Sequence, residues 1–452
     1  MQLAILTAVL AALAASQGSA APLSGVGWRL AVLGGAVLAA PLAALVSLRH
    51  VARRHLEGAE QQRVLERIHF GLIGLWLLAV AVMLGLAEWP RLVRVNWRLD
   101  RWPLVDEILV LVPVLAPLFL IWAALYRLES EPTQARNRAG DARGGVGRYL
   151  WLQARHYLGL VLVPPLAMIA VCESLGALGV GSLSGDLVWW LAIPLLITML
   201  ALLPLALRSL WQTTPLAAGE LRALLEAACA AKGCRVQEIL VWHTQGTVAN
   251  AAVTGLVRPL RYMLLTDALL AWLPPREIVA VVRHEAAHLA RWHLPQRVAL
   301  VALPLAMWMA AKPWCGGLGA TCAGACAAWG VPWEALSPYA LPLGMLVYAV
   351  VVVGWYSRLL EHDADLEACL ADGRFEPLAA DDFRRALVRL CGGRREPRWL
   401  AWLHPSLEQR LAFLQRAEEL PAVANGFRRR LGALVAGMGL AYAVCAVLAC
   451  AA

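Results

Sequence analysis

The chain has 452 residues, is 60% hydrophobic and only 16% charged, against about a quarter charged in ordinary soluble proteins. That composition excludes a typical soluble domain and points to a membrane protein. The net charge of +9 comes almost wholly from arginine, since Lys232 and Lys312 are the only lysines. No soluble segment carries a basic stripe interleaved with aromatics, so arginines that bracket apolar spans explain the charge and no nucleic-acid partner is expected.

Residues 3–15 are apolar and run into Ser/Gly/Ala-rich sequence ending near Ala21. Gly18-Ser19-Ala20 has the small residues of a cleavage site, but the stretch before it lacks Lys and Arg, which favours a retained first transmembrane helix. Apolar spans follow at 30–48, 68–87, 108–126, 157–181 and 187–207, each near the roughly 20 residues that cross a bilayer. Residues 1–211 are therefore expected to form a membrane domain of about six spans, with Glu173 the one acid deep in a span. Loops 49–67 and 127–155 are rich in arginine and mark the cytoplasmic side. Loop 88–103, with Arg91, Arg94, Arg98 and Arg101, breaks that rule.

After Arg208 the composition changes, and residues 212–296 read as soluble α/β. Leu216–Ala231 has helical periodicity with Gly233 as a C-terminal cap. Val236–Trp242 and Tyr262–Leu265 read as strands. Thr266 or Asp267 caps a short helix. Arg276–His293 reads as one helix behind Pro274 and Pro275. It contains His284-Glu285-Ala286-Ala287-His288. Residues four apart share a helix face, so both imidazoles can meet one metal ion with the Glu285 carboxylate beside it, which is the H-E-x-x-H arrangement of zinc hydrolases. Two surface histidines on an amphipathic helix would give the same pattern, so a third ligand decides. His243 and His293 read as surface or packing residues.

Residues 297–356 are expected to form a membrane hairpin. Within it, 298–311 is short for a full crossing and 338–356 is full length. Cys315, Cys322 and Cys326 cluster between them, where packing and a disulfide are both open. Directly afterwards comes Glu361-His362-Asp363-Ala364-Asp365. A catalytic zinc takes three protein ligands and keeps one position open. Glu361 would complete a His-His-Glu set, with His362 as its rival, and Asp365 one turn on could orient a ligand imidazole. Residues 357–430 would form the second half of the catalytic domain, and 431–452 a C-terminal transmembrane helix.

These motifs together resemble the gluzincin-type membrane metallopeptidase family of the CAAX prenyl endopeptidase and the heat-shock protease HtpX. Asn250-Ala251 is similar to the family's edge strand, Thr266-Asp267-Ala-Leu-Leu270 to the segment after it, and His404-Pro405-Ser406 with Arg410 to its late His-Pro signature. The resemblance covers roughly residues 212–415. It implies a mainly α fold, with multi-pass membrane helices and a small zincin-like α/β catalytic domain at the membrane surface. It implies one Zn2+ held by His284, His288 and Glu361, with Glu285 as general base and Asp365 behind the ligands. It implies that His404 stabilises the oxyanion with help from Arg410, and that Asn250 and Ala251 bind an extended peptide. The expected protein is an integral zinc endopeptidase of the bacterial inner membrane. Its active site faces the cytoplasm, and its partners are the bilayer and a peptide or protein substrate, unfolded or membrane-embedded. A catalytically silent zinc-fold sensor or scaffold is the alternative.

Overall fold

The computed structural model describes residues 2–15, 21–53, 58–102, 104–136, 145–177, 198, 201–208, 211–244, 246, 248–255, 257–314, 317–330, 333, 344–345, 347–371, 374–391 and 404–451. The chain divides into two compact units, Met1–Leu200 and Ala201–Ala452.

The first unit is a helical bundle of α1 (Gln2–Ala14), α2 (Val26–Arg53), α3 (Gly58–Gly85), α4 (Val105–Arg136) and α5 (Gly159–Ala177). Its core is large and apolar, built on Trp76, Met83, Leu118 and Trp122. Trp76 donates its indole N–H to the Val114 carbonyl at 2.8 Å, which lets a polar handle sit inside an apolar bundle. Stretches of α2, α3 and α4 are long and apolar enough to cross a membrane. The first helix matches the apolar stretch read at 3–15 but is short for the transmembrane helix expected there. At 13 residues it falls short of the roughly 20 a crossing needs, and it buries Ile5, Ala8, Val9 and Ala12 in the bundle core. The span expected at 187–207 lies mostly outside the described residues.

Two of the arginines of segment 88–103, Arg91 and Arg94, have structural partners. Arg91 bridges Glu88 at 2.9 Å and donates to the Ala21 carbonyl, while Arg94 pairs with Asp106 and Glu107. Glu173 accepts the Leu104 backbone N–H at 3.0 Å. Leu104 has φ +62°, uncommon for a branched residue, and this bond helps to hold it there.

In the second unit a four-stranded sheet has the order β1-β2-β4-β3, with β1 at Thr213–Pro215, β2 at Glu238–Trp242, β3 at Ala251–Thr254 and β4 at Tyr262–Thr266. β2 and β4 are parallel, and the outer pairings are antiparallel. Helix α6 (Glu220–Ala231) makes the β2–β4 side of the core with Leu225 and Cys229. Gly233 at φ +67° follows it, as its C-cap role requires. Thr266, not Asp267, caps α7 (Asp267–Trp272), accepting the Leu269 N–H. Asp267 instead gathers Thr244 and the Gly246 N–H.

The helix expected over 276–293 is two helices. α8 runs Pro275–Ala290 and α9 runs His293–Ala311. Trp292 adopts φ +59°, a left-handed conformation that a helix cannot continue through. Because α9 starts at His293, it is 19 residues long and meets the requirement for a membrane span, where 298–311 alone did not. α10 (Gly354–Ala368) follows a π-turn at Ala349–Val353, then come α11 (Pro377–Cys391), α12 (Leu407–Glu419) and α13 (Pro421–Ala451). α13 starts ten residues before the expected position and is apolar enough to span. Tyr442 donates to the Ala299 carbonyl at 2.7 Å, tying α13 to α9. Cys322 and Cys326 are both free thiols, and Cys315 lies outside the described residues.

α8 is the centre of this unit. Ile278, Val281, Val282 and Ala286 are buried against Leu265 and Leu269, each large side chain contributing about 1.5–3 kcal/mol by burial. The turn from β3 to β4 depends on Gly255. It has φ +104°, and a Cβ there would meet the Leu260 carbonyl oxygen at 2.2 Å. The substitution Gly255→Ala is expected to cost about 1–3 kcal/mol, read as a lower melting temperature of the detergent-solubilised protein; an unchanged melting temperature would show that this turn can relax.

Candidate metal centre

α8 presents His284 and His288 on one face, as four-residue spacing requires. Their Nε2 atoms lie 3.3 Å apart. Glu361, on α10, closes the group: Oε2 is 3.7 Å from His284 Nε2 and Oε1 is 3.6 Å from His288 Nε2. Tetrahedral nitrogen donors about 2.0–2.1 Å from a zinc ion stand about 3.3 Å apart. The three donors therefore have the spacing, the chemistry and the mutual orientation to hold one such ion. Glu361 is nearly fully buried, at 3% exposure, where a carboxylate needs cationic partners.

Asp365 stands behind His284, its Oδ1 3.0 Å from Nδ1, although the ring N–H does not lie along this contact. Asp365 is fully buried, and Arg410 from α12 grips it with both prongs of its fork, Nε donating to Oδ2 at 2.8 Å. Burial would raise the Asp365 carboxyl, but the Arg410 charge and hydrogen bonds win and hold it at about 2. Burial lowers His284, yet its contacts with Asp365 and Glu361 outweigh that and push it up to about 9. Glu361 is likewise raised by burial but drawn well below the usual carboxylate range by His284 and His404. The pocket thus attracts positive charge at the point where the three donors meet. Phe383 stacks on the His284 ring at 5.4 Å and completes its apolar wall.

Glu285 keeps one face open to solvent, while its carboxyl sits deep among protein atoms. That burial pushes it up to about 7, and the charge on Glu361 adds to the rise. His404 is more than half exposed and places Nδ1 3.1 Å from Glu361 Oε2. Arg410, expected to help His404, reaches Asp365. His362 points elsewhere, into a ring cluster with Phe413 and Phe427. Asn250 precedes the edge strand β3. Its N–H donates to Thr266 Oγ1 at 2.9 Å and its carbonyl accepts the Thr266 N–H at 3.0 Å. Ala251 is buried and pairs with Leu265.

Three participants escaped the sequence reading. Arg297 donates to Glu361 Oε1 at 2.9 Å. His293, read as a surface or packing residue, is buried at 1% exposure and lies between His288 and Asp363. Asp363 is buried beside Arg291. The spacing of a further histidine five residues after His288 was the available signal, but a continuous helix would have turned it away.

Residues 215–418 match the model of peptidase family M48. No curated protein matches the chain. Among solved structures, the chain is similar to a crystal structure of Ste24p from S. mikatae, with 15% identity, 87% of this chain and 100% of that chain covered, and a TM-score of 0.45.

Removing Arg410 would strand the Asp365 carboxylate in the interior. The substitution Arg410→Met is expected to destabilise the protein by about 3–5 kcal/mol, seen in denaturant unfolding of the purified protein. Wild-type stability would mean that His284 alone compensates Asp365.

Proposed function

From a chain that carries an M48 peptidase domain together with helices fit to cross a membrane, we propose an integral membrane zinc endopeptidase. One observation carries this reading: the nitrogen and oxygen donors of His284, His288 and Glu361 converge within 3.3–3.7 Å of one another, with Glu285 on the same helix. These three residues hold the ion. When bound, zinc polarises a peptide carbonyl and brings the pKa of water down to about 7.

The protein's own groups then do the rest. Glu285 takes the proton from the attacking water and later gives it to the leaving amine. Burial raises this carboxyl, the direction that brings an acid–base catalyst towards the operating pH. His404 donates a hydrogen bond to the oxygen that gains negative charge in the tetrahedral intermediate. Its exposed position leaves the ring free to turn from Glu361 towards substrate. Asp365 and Arg410 keep His284 oriented. β3 is an edge strand that packs on α8, so Asn250 and Ala251 begin an edge to which an extended peptide adds as a further strand. The substrate is a peptide or protein, unfolded or membrane-embedded. We place the protein in a bacterial inner membrane, with the arginine-rich loops 49–67 and 127–155 supporting a cytoplasmic active site.

The test is a comparison of wild type and Glu285→Gln, purified in detergent, for zinc content and cleavage of an unfolded model protein. Both should bind zinc, and the variant should lose about 10²–10⁴ in rate. Zinc bound with no cleavage by either protein, across several substrates, would favour the silent sensor; no zinc in the wild type would overturn both readings.

A further inference from the structure

His284 and His288 are supported by separate networks. His284 has Asp365 and Arg410. His288 has a chain that nothing in its sequence motif announces: its Nδ1 lies 2.9 Å from His293 Nδ1, and His293 Nε2 lies 3.2 Å from Asp363 Oδ2. Asp363 Oδ2 also accepts from Arg291 Nε at 2.9 Å, and Arg428 Nε stands 3.8 Å from Oδ1. His293 and Asp363 are fully buried, so this is an interior arrangement.

Proton placement along the chain has one consistent solution. A carboxylate paired with Arg291 only accepts, so His293 Nε2 must carry a hydrogen and donate it. In the neutral ring Nδ1 is then the acceptor. His288 Nδ1 must in turn be the donor. That leaves the lone pair of His288 on Nε2, the atom facing His284 and Glu361. The opposite tautomer would aim a hydrogen at the metal position.

The backbone makes this contact possible. In an unbroken helix His293 would lie roughly 140° round from His288 and could not reach it. The left-handed turn at Trp292, φ +59°, ends α8 and brings His293 back against the preceding turn. A bulky residue in that conformation costs on the order of 1–3 kcal/mol and persists only where its surroundings demand it.

We infer that His293 and Asp363 are positioning residues that fix His288 in the tautomer with Nε2 free to bind metal, an inference that rests on reading His288 as a metal ligand. A ligand imidazole held through its other nitrogen by a carboxylate-backed partner binds metal more tightly, and losing such a partner typically costs about 10–100-fold in affinity.

The experiment measures zinc affinity of the full-length protein in detergent by competition with a chelator, alongside the melting temperature of the zinc-free form. His293→Phe keeps an aromatic ring but neither nitrogen, and should bind zinc about 10–100-fold more weakly. His293→Gln offers an acceptor for His288 and a donor for Asp363, and should recover most of that loss. The double variant His293→Phe with Asp363→Asn should lose no more than the weaker single one, because the two act in one chain. A folded His293→Phe protein that binds zinc as tightly as wild type overturns the inference. So does an affinity loss matched in His293→Gln. Should His293→Phe fail to fold, Asp363→Asn, which keeps the volume, carries the same criterion. A wild type that binds no zinc would instead overturn the metal-centre reading itself.

Discussion

The structure of the catalytic half turns on the cost of burying carboxylates. α10 carries Glu361, Asp363 and Asp365 into the interior within five residues, each nearly free of solvent contact. Ionised carboxylates cannot stay there alone. Each is met by its own partners: Arg410 and His284 at Asp365, Arg291 and the His293 ring N–H at Asp363, and Arg297 with the histidine pair at Glu361. These partners come from α8, α9, α12 and the joint between α8 and α9. Charge compensation therefore fixes the packing of four elements around α10, and apolar burial around α8 fills the space between them.

Much of the site was legible because helix periodicity is rigid. Four-residue spacing places His284 with His288 and Glu361 with Asp365, whatever the remainder of the chain does. The two central strands were also readable, since β2 and β4 are short apolar runs bounded by turn residues, whereas β1 was not read and β3 entered only through the family resemblance. What sequence could not supply was the turn at Trp292. No glycine or asparagine marks it, and tryptophan has no preference for a left-handed backbone. Missing that turn hid the role of His293 and shortened α9 below a membrane span. Arg297 was missed for the same reason, as its position follows from where α9 begins.

The membrane part was harder to read. Apolar composition locates a span but does not say whether the helix faces lipid or other helices. α1 is as apolar as its neighbours, yet it is short and packs its Ile5–Ala12 face into the first unit's core. The arginines of segment 88–103 looked like topology signals. Arg91 and Arg94 are bound to Glu88, Asp106 and Glu107, which a count of charges along the chain cannot anticipate.

The joint between α8 and α9 consists of Arg291 and Trp292 alone. Both of its residues are already committed, one to Asp363 and the other to the reversed backbone. Such a joint has no slack. A displacement of α9 would therefore reach the His293 ring first and, through it, His288, with no intervening loop to absorb it.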